Sequence, residues 1–239
     1  MLSVTLPDGS SRELAQGATA LDLAKSIGSG LAKAAVAAVV DGVETDITAG
    51  LSDGQEVAII TANTDEGRHV LRHSTAHVLA QAVTRLFPGA KFSVGPAIEH
   101  GFYYDFDLPG GKTFSDDDLA DIQKEMERIV KEDQPFIRSE MSPEEALELF
   151  ADQPYKCEII QRVTSAGGDA LDAGEVGAGD VISAYRNSDT FVDMCVGPHV
   201  PSTGKLKHFA LQRTSGAYWR GSEEARMLQR IYGTAWESK

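Results

Sequence analysis

Two stretches hold the side chains best suited to chemistry. Arg72-His73-Ser74-Thr75-Ala76-His77 sets two imidazoles four residues apart, and Asp193-Met194-Cys195-Val196-Gly197-Pro198-His199 adds a thiol and a third imidazole across a Gly-Pro turn. Around the first, Leu71, Thr75, Val78, Leu79, Ala82, Val83 and Leu86 recur at helical spacing and predict one apolar helix face. Residues i and i+4 share a side of a helix, so His73 and His77 point the same way. Imidazole moves protons near neutral pH, and imidazole and thiolate both bind transition metals. His73, His77, Cys195 and His199 therefore read either as a proton-handling set or as a tetrahedral zinc set, and the spacing leaves both open.

These residues need a body to hold them. At 239 residues the chain suffices for one large domain or two modest ones, and its 42% hydrophobic and 24% charged content is that of ordinary globular protein. No run of about 18 apolar residues occurs, so no membrane span is expected. Met1-Leu2-Ser3-Val4-Thr5-Leu6 has neither a basic nor an apolar leader region, so no secretory signal is expected. Two cysteines, Cys157 and Cys195, do not make a disulfide framework and fit a reducing cytoplasm. A net charge of −14 argues against non-specific nucleic-acid binding while leaving room for a local basic groove.

In chain order, Ser3 to Leu6 and Arg12 to Leu14 flank Pro7-Asp8-Gly9-Ser10 as a hairpin. Thr19 with Asp22 caps a helix that Gly28 ends in a left-handed conformation. Ala35 to Val40 and Val57 to Thr61 read as strands, giving the order of a ubiquitin-like β-grasp module, with acids mainly in turns and caps. Residues 1–62 contain no histidine or cysteine and are expected to be dispensable for the chemistry. Thr64 to Gly67 opens the long His-bearing helix, which Pro88-Gly89 stops. Phe92 to Ile98 and Phe102 to Asp107 read as strands, Ser115 caps a helix with a stripe of Leu119, Ile122, Met126, Ile129 and Val130, and Phe136 to Met141 reads as a strand. Ser142-Pro143-Glu144-Glu145 is a capping box, a helix from Pro154 to Thr164 carries Lys156, and 167–179 reads as a glycine-rich acidic surface loop. Val181 to Arg186, Thr190 to Asp193, Phe209 to Arg213 and Met227 to Ile231 are strands, so the fold class is α+β with an antiparallel sheet.

Several ordered blocks resemble one family. Thr5-Leu6-Pro7-Asp8-Gly9-Ser10, Arg72 to His77, Gly101-Phe102-Tyr103-Tyr104-Asp105, Val192-Asp193-Met194-Cys195, Gly197-Pro198-His199-Val200, Gly216-Ala217-Tyr218-Trp219-Arg220-Gly221 and Met227 to Trp236 stand as they do in bacterial threonyl-tRNA synthetases. The resemblance implies a TGS-like β-grasp domain over 1–62 and an editing domain over 63–239. It implies hydrolysis of mischarged seryl-tRNA(Thr), with threonyl-tRNA(Thr) spared and no aminoacylation by this stretch alone. On it, the chain is either an N-terminal part of such an enzyme or a freestanding editing protein. The implied partner is the charged acceptor end of tRNA(Thr), and the implied state is a monomer.

Carried over position by position, the family's site falls on His73, His77, Lys156, Asp193, Cys195 and His199, with Tyr104, Lys156 and Asp193 as substrate-binding residues. His73 is expected to activate water, His77 to support the departing ribose oxygen, Asp193 to hold the substrate ammonium or orient an imidazole, and Cys195 and His199 to bound the pocket. No cofactor is expected for editing. The alternatives are a zinc-dependent hydrolase of the alanyl-editing type, using His73, His77, Cys195 and His199, or a non-catalytic tRNA-binding or regulatory module. Val196 and Ser222 depart from the family, which usually has arginine and aspartate there.

Overall fold

The N-terminal hairpin forms where expected. Strand β1 (Leu2–Thr5) pairs antiparallel with β2 (Ser11–Leu14), and in the turn Ser10 N–H donates to Asp8 Oδ1 at 2.9 Å while Gly9 takes a φ of 80°. The computed structural model describes residues 1–166 and 181–238, so the loop expected over 167–179 lies outside the described residues. Helix α1 (Ala20–Ile27) starts at the Thr19/Asp22 capping box. Gly28 ends it in an extended conformation (φ 171°), not the left-handed one expected, because a short helix, α2 (Ser29–Ala34), follows at once and the chain need not reverse. Strands β3 (Ala35–Val40), β4 (Val43–Asp46) and β5 (Val57–Thr61) form an antiparallel sheet in the order β4-β3-β5. A parallel bridge between Thr5 and Glu56 links β1 to it, and β4 is an addition to the expected order.

Under α1, Leu2, Val4, Leu23, Ala24, Ala35, Ala38, Ile47 and Val57 form an aliphatic core, and residues 1–62 contain no Phe, Trp or Tyr. Val36, Ala37 and Ile60 instead join the core around the next helix, α3 (Asp65–Leu86). Thr64 Oγ1 accepts from Gly67 N–H to cap α3, and a Cβ on Gly67 would sit 2.0 Å from the Thr61 carbonyl oxygen, so the junction tolerates glycine alone. The apolar face expected on α3 is too narrow a description. From Val70 to Val83 the helix is buried almost all round, Arg72, His77 and Gln81 included, while Leu86 is exposed.

The stretch expected as one strand from Phe92 to Ile98 is two short ones, β6 (Lys91–Phe92) and β7 (Ala97–Ile98). Pro96 has no N–H for a ladder, and a Cβ on Gly95 would lie 2.1 Å from the Tyr104 ring. Then come β8 (Gly101–Asp107) and α4 (Asp116–Glu132), which starts at the Ser115/Asp118 capping box and buries Ile122, Met126 and Ile129. Strand β9 (Ile137–Met141) precedes α5 (Pro143–Leu149), opened by the Ser142/Glu145 box, and α6 (Pro154–Ala166). Strands β10 (Ile182–Ser188) and β11 (Phe191–Met194) form a hairpin, and β12 (His208–Tyr218) and β13 (Met227–Trp236) run well beyond the lengths expected. The larger sheet has the order β12-β13-β8-β6, with β7 also on β8, and the smaller is β11-β10-β9; all their pairings are antiparallel. Helix α3 packs on β8 and β13, and α4 on β12. The fold is α+β.

Candidate functional site

Four elements converge at one point. Helix α3 brings His73 and His77, β8 brings Tyr104, α6 brings Lys156 in its first turn, and β11 with the turn after it brings Asp193, Cys195 and His199. The structure places all seven sequence-derived residues together. His73 Nε2 lies 3.4 Å from Cys195 Sγ, and His199 Nε2 lies 3.1 Å from the same sulfur. The three imidazoles pack with centroids 5.0 Å (His73–His77), 4.6 Å (His73–His199) and 4.2 Å (His77–His199) apart. Of the four potential donors, His73 alone reaches the surface.

A charged pair sits beside this cluster. Lys156 Nζ is 2.7 Å from Asp193 Oδ1, both side chains being 1% exposed, so Lys156 is not a solvated helix-start lysine and Asp193 is not a turn residue. Tyr104 O–H donates to Asp193 Oδ2 at 2.5 Å, Met194 N–H donates to Oδ1 at 2.7 Å, and His77 Nε2 stands 3.7 Å from Oδ2. Lys156 also donates to Tyr104 Oη at 3.2 Å. The Asp193 carboxylate is thus committed on both oxygens, which favours orienting over binding a substrate ammonium. His77 Nδ1 is buried with no hydrogen-bond partner among the described residues. A buried polar atom left unpaired is destabilising, so such an atom at a cluster of this kind is a place for a ligand or water.

Burial sets the protonation. It holds His73 and His199 well below the usual imidazole value, and for both, neighbouring imidazoles push the same way. Burial lowers His77 to about 4 against the opposing pull of Asp193. All three rings are therefore neutral at pH 7, able to accept a proton or bind a metal.

Other residues at the site were not visible in the sequence. Ser74 Oγ accepts from Val200 N–H at 3.1 Å and lies 3.0 Å from His199 Nδ1. Two tautomers fit these contacts: Ser74 O–H donates to Nδ1 and the His199 proton sits on Nε2 facing Cys195, or His199 Nδ1–H donates to Ser74 Oγ and leaves Nε2 free to bind. Phe136 stacks on the His199 ring at 4.6 Å and 2°, and the Tyr185 ring meets it edge-on at 4.4 Å. Asp46 of β4 accepts from His199 N–H at 2.9 Å and from Tyr185 O–H at 2.8 Å, so it lies in neither a turn nor a cap. Ser74 alone had a signal, its place between the two histidines. Val196 is exposed beside Gly197, and Ser222 lies in an exposed turn with its N–H donating to the Trp219 carbonyl.

The donor atoms of His73, His77, Cys195 and His199 all lie within 4.8 Å of one another. Zinc with bonds of about 2.0–2.3 Å spaces tetrahedral donors roughly 3.3–3.8 Å apart. The 3.1 and 3.4 Å contacts are close to that spacing. Ser74 on the far nitrogen of His199 is the kind of outer partner that orients a histidine ligand. The residues present fit a metal.

Comparison with known proteins gives two family matches. Residues 2–61 match the TGS domain, and 182–232 match the threonyl and alanyl tRNA synthetase second additional domain. Over 241 residues, all of this chain and 35% of the relative, the sequence is 51% identical to a threonine–tRNA ligase of Desulforamulus reducens. It is 50% identical to the one of Acidithiobacillus ferrooxidans, across 99% of this chain and 34% of the relative, and 46% identical to that of Streptococcus agalactiae, across 100% and 34%. The chain spans about a third of the length of these curated relatives.

Proposed function

We propose that this chain, which has the TGS and second additional domains of the N-terminal region of threonyl-tRNA synthetases, hydrolyses the ester of seryl-tRNA(Thr) and spares threonyl-tRNA(Thr). We assign the β-grasp domain to 1–62 and the editing domain to 63–239. The observation that carries the reading is the set of three neutral imidazoles around one thiol, braced by the buried Lys156–Asp193 pair.

The chemistry follows from the groups. His73, neutral and partly exposed, accepts a proton from water held by a ribose hydroxyl. The water oxygen bonds to the ester carbonyl carbon, the bond from that carbon to the ribose oxygen breaks, and the proton passes from His73 to the departing oxygen. General acid–base groups of this kind contribute about 10²–10⁴-fold. Asp193, fixed by Lys156 and Tyr104, faces His77 Nε2 and orients the ring, so neutral His77 offers its Nδ1 as an acceptor that supports the departing oxygen once that oxygen carries its proton. Cys195 and His199 bound the space for the amino acid. An added methyl there changes binding by about 1–3 kcal/mol, which separates threonine from serine.

The test is deacylation of serine-charged tRNA(Thr) by this chain, with threonine-charged tRNA as control. Rapid loss of serine and slow loss of threonine is expected. Equal rates on both remove selective editing, and a rate at background favours a non-catalytic tRNA-binding module. The converged donor set supports a second reading, a zinc-dependent aminoacyl-tRNA hydrolase in which His73, His77, Cys195 and His199 hold the ion. Zinc there would supply an activated water at neutral pH. Stoichiometric zinc in the purified protein, whose removal stops hydrolysis, selects that reading.

A further inference from the structure

We infer that Asp46, which belongs to the β-grasp unit, is a positioning residue for the hydrolytic site. The inference rests on the function proposed above and opposes the expectation that 1–62 is dispensable. Its two carboxylate oxygens have separate tasks. One accepts from the backbone N–H of His199 (2.9 Å), the other from Tyr185 O–H (2.8 Å). Tyr185 in turn sets its ring edge on the His199 imidazole at 4.4 Å. One side chain from the first unit therefore fixes both the backbone of a site residue and the aromatic wall against its ring.

The surroundings leave this job to Asp46. The two units meet beside His199 around a crevice of about 890 Å³ lined by Thr45, Asp46, Phe136, Tyr185, Gly197 and Pro198. Aromatic packing from Phe136 and Tyr185 covers the His199 ring, while the backbone N–H of His199 donates to Asp46. Gly197 has a φ of 78°, and a Cβ there would sit 2.1 Å from Tyr185 Oη, which shows how closely Tyr185 is seated on that turn. The ring end of His199 is tied separately, to Ser74 and Cys195. With Asp46 gone, those ties and the Val200 N–H bond to Ser74 remain, but the His199 N–H loses its acceptor and Tyr185 loses its anchor. Displacements of about 1 Å in a site can lower a rate about a hundredfold.

The experiment compares Asp46→Ala, Asp46→Asn and Tyr185→Phe in the full chain with the unsubstituted protein. Single-turnover and steady-state deacylation of seryl-tRNA(Thr) are read together with the imidazole and backbone amide NMR signals of His199. Asp46→Ala is expected to lower kcat about ten- to a hundredfold with KM changed less than about twofold. It should also move both His199 signals. Asp46→Asn keeps an oxygen for the His199 N–H and should retain kcat within about threefold, and Tyr185→Phe should fall between the two. A merely structural contact would lower melting temperature in all three without this split. Asp46→Ala at unsubstituted kcat and with unmoved His199 signals overturns the inference, and so does Asp46→Asn as damaging as Asp46→Ala. If Asp46→Ala does not fold, the Asn and Phe variants carry the test. If the unsubstituted chain shows no hydrolysis, the proposed function fails, and the His199 signals decide the Asp46 link by themselves.

Discussion

The core beneath α1 is made of Leu, Ile, Val and Ala, whereas the centre of the second unit buries His77, Lys156, Asp193 and His199 almost completely. Both regions remove side chains from water, with opposite consequences. In the first, each buried methylene adds about 0.8 kcal/mol, and the sum is stability. In the second, burial works against the charged forms, shifts the histidines to neutrality, and obliges Lys156 and Asp193 to pair. The lesson is that burial of apolar surface holds the first region together, while in the second the same exclusion of water, by desolvating charge, sets the protonation states that the chemistry needs.

The comparison can be broken most readily at His73. With metal-free acid–base chemistry, His73→Ala is expected to lower seryl-tRNA hydrolysis about 10²–10⁴-fold while the melting temperature stays near that of the parent, and chelation should leave the parent's rate unchanged. An equal loss on Leu23→Ala, in the aliphatic core, would dissolve the distinction. Next comes the buried pair. Asp193→Ala leaves the Lys156 ammonium uncompensated and should destabilise by about 3–5 kcal/mol in urea titration, and the double variant Lys156→Met with Asp193→Leu should regain much of that.

Acid should separate the regions too. A histidine whose folded value lies below its unfolded value binds its proton more readily in the unfolded chain, so its contribution is whole above about 6.5 and is lost as pH falls. For His77 the loss runs down to about 4 and amounts to roughly 3 kcal/mol, and His73 and His199 add in the same direction. Asp46 has the opposite sign: burial raises its value, so its contribution is present in acid and is lost as pH rises through the folded value. Hydrogen exchange between pH 7 and 4.5 should therefore lose protection in α3 and β11 before β3 and β5. The smallest effect is expected at the Thr19 cap. Thr19→Ala should lower stability by about 1 kcal/mol and leave hydrolysis untouched.

The legible parts of the sequence were local. The hairpin at Pro7 to Ser10, the boxes at Thr19/Asp22 and Ser142/Glu145 and the cap at Ser115 depend on neighbours within a few residues, and each formed as read. The pairing of His73 with His77 on one helix was legible for the same reason. What escaped depends on distant partners. Helix α3 looked one-faced because Arg72, His77 and Gln81 are polar, yet the tertiary fold supplies partners for Arg72 at the Glu99 carbonyl and for Gln81 at Gln134. Asp46 meets Tyr185 and His199 across 139 and 153 residues, and no spacing rule reaches that far. Lys156, Asp193 and Tyr104 were found through the family resemblance, since a lysine in a helix's first turn and an aspartate near a hairpin look ordinary by themselves.

The aliphatic character of the first core has an optical consequence. Every Trp, Tyr and Phe of the chain lies beyond residue 62, so near-ultraviolet absorption and intrinsic fluorescence arise in the second unit. An emission-followed melt sees the β-grasp unit only at its border, where Tyr185 O–H donates to Asp46, while far-ultraviolet dichroism sees both units directly. Disagreement between the two signals would therefore measure, without any label, how tightly the two units melt together.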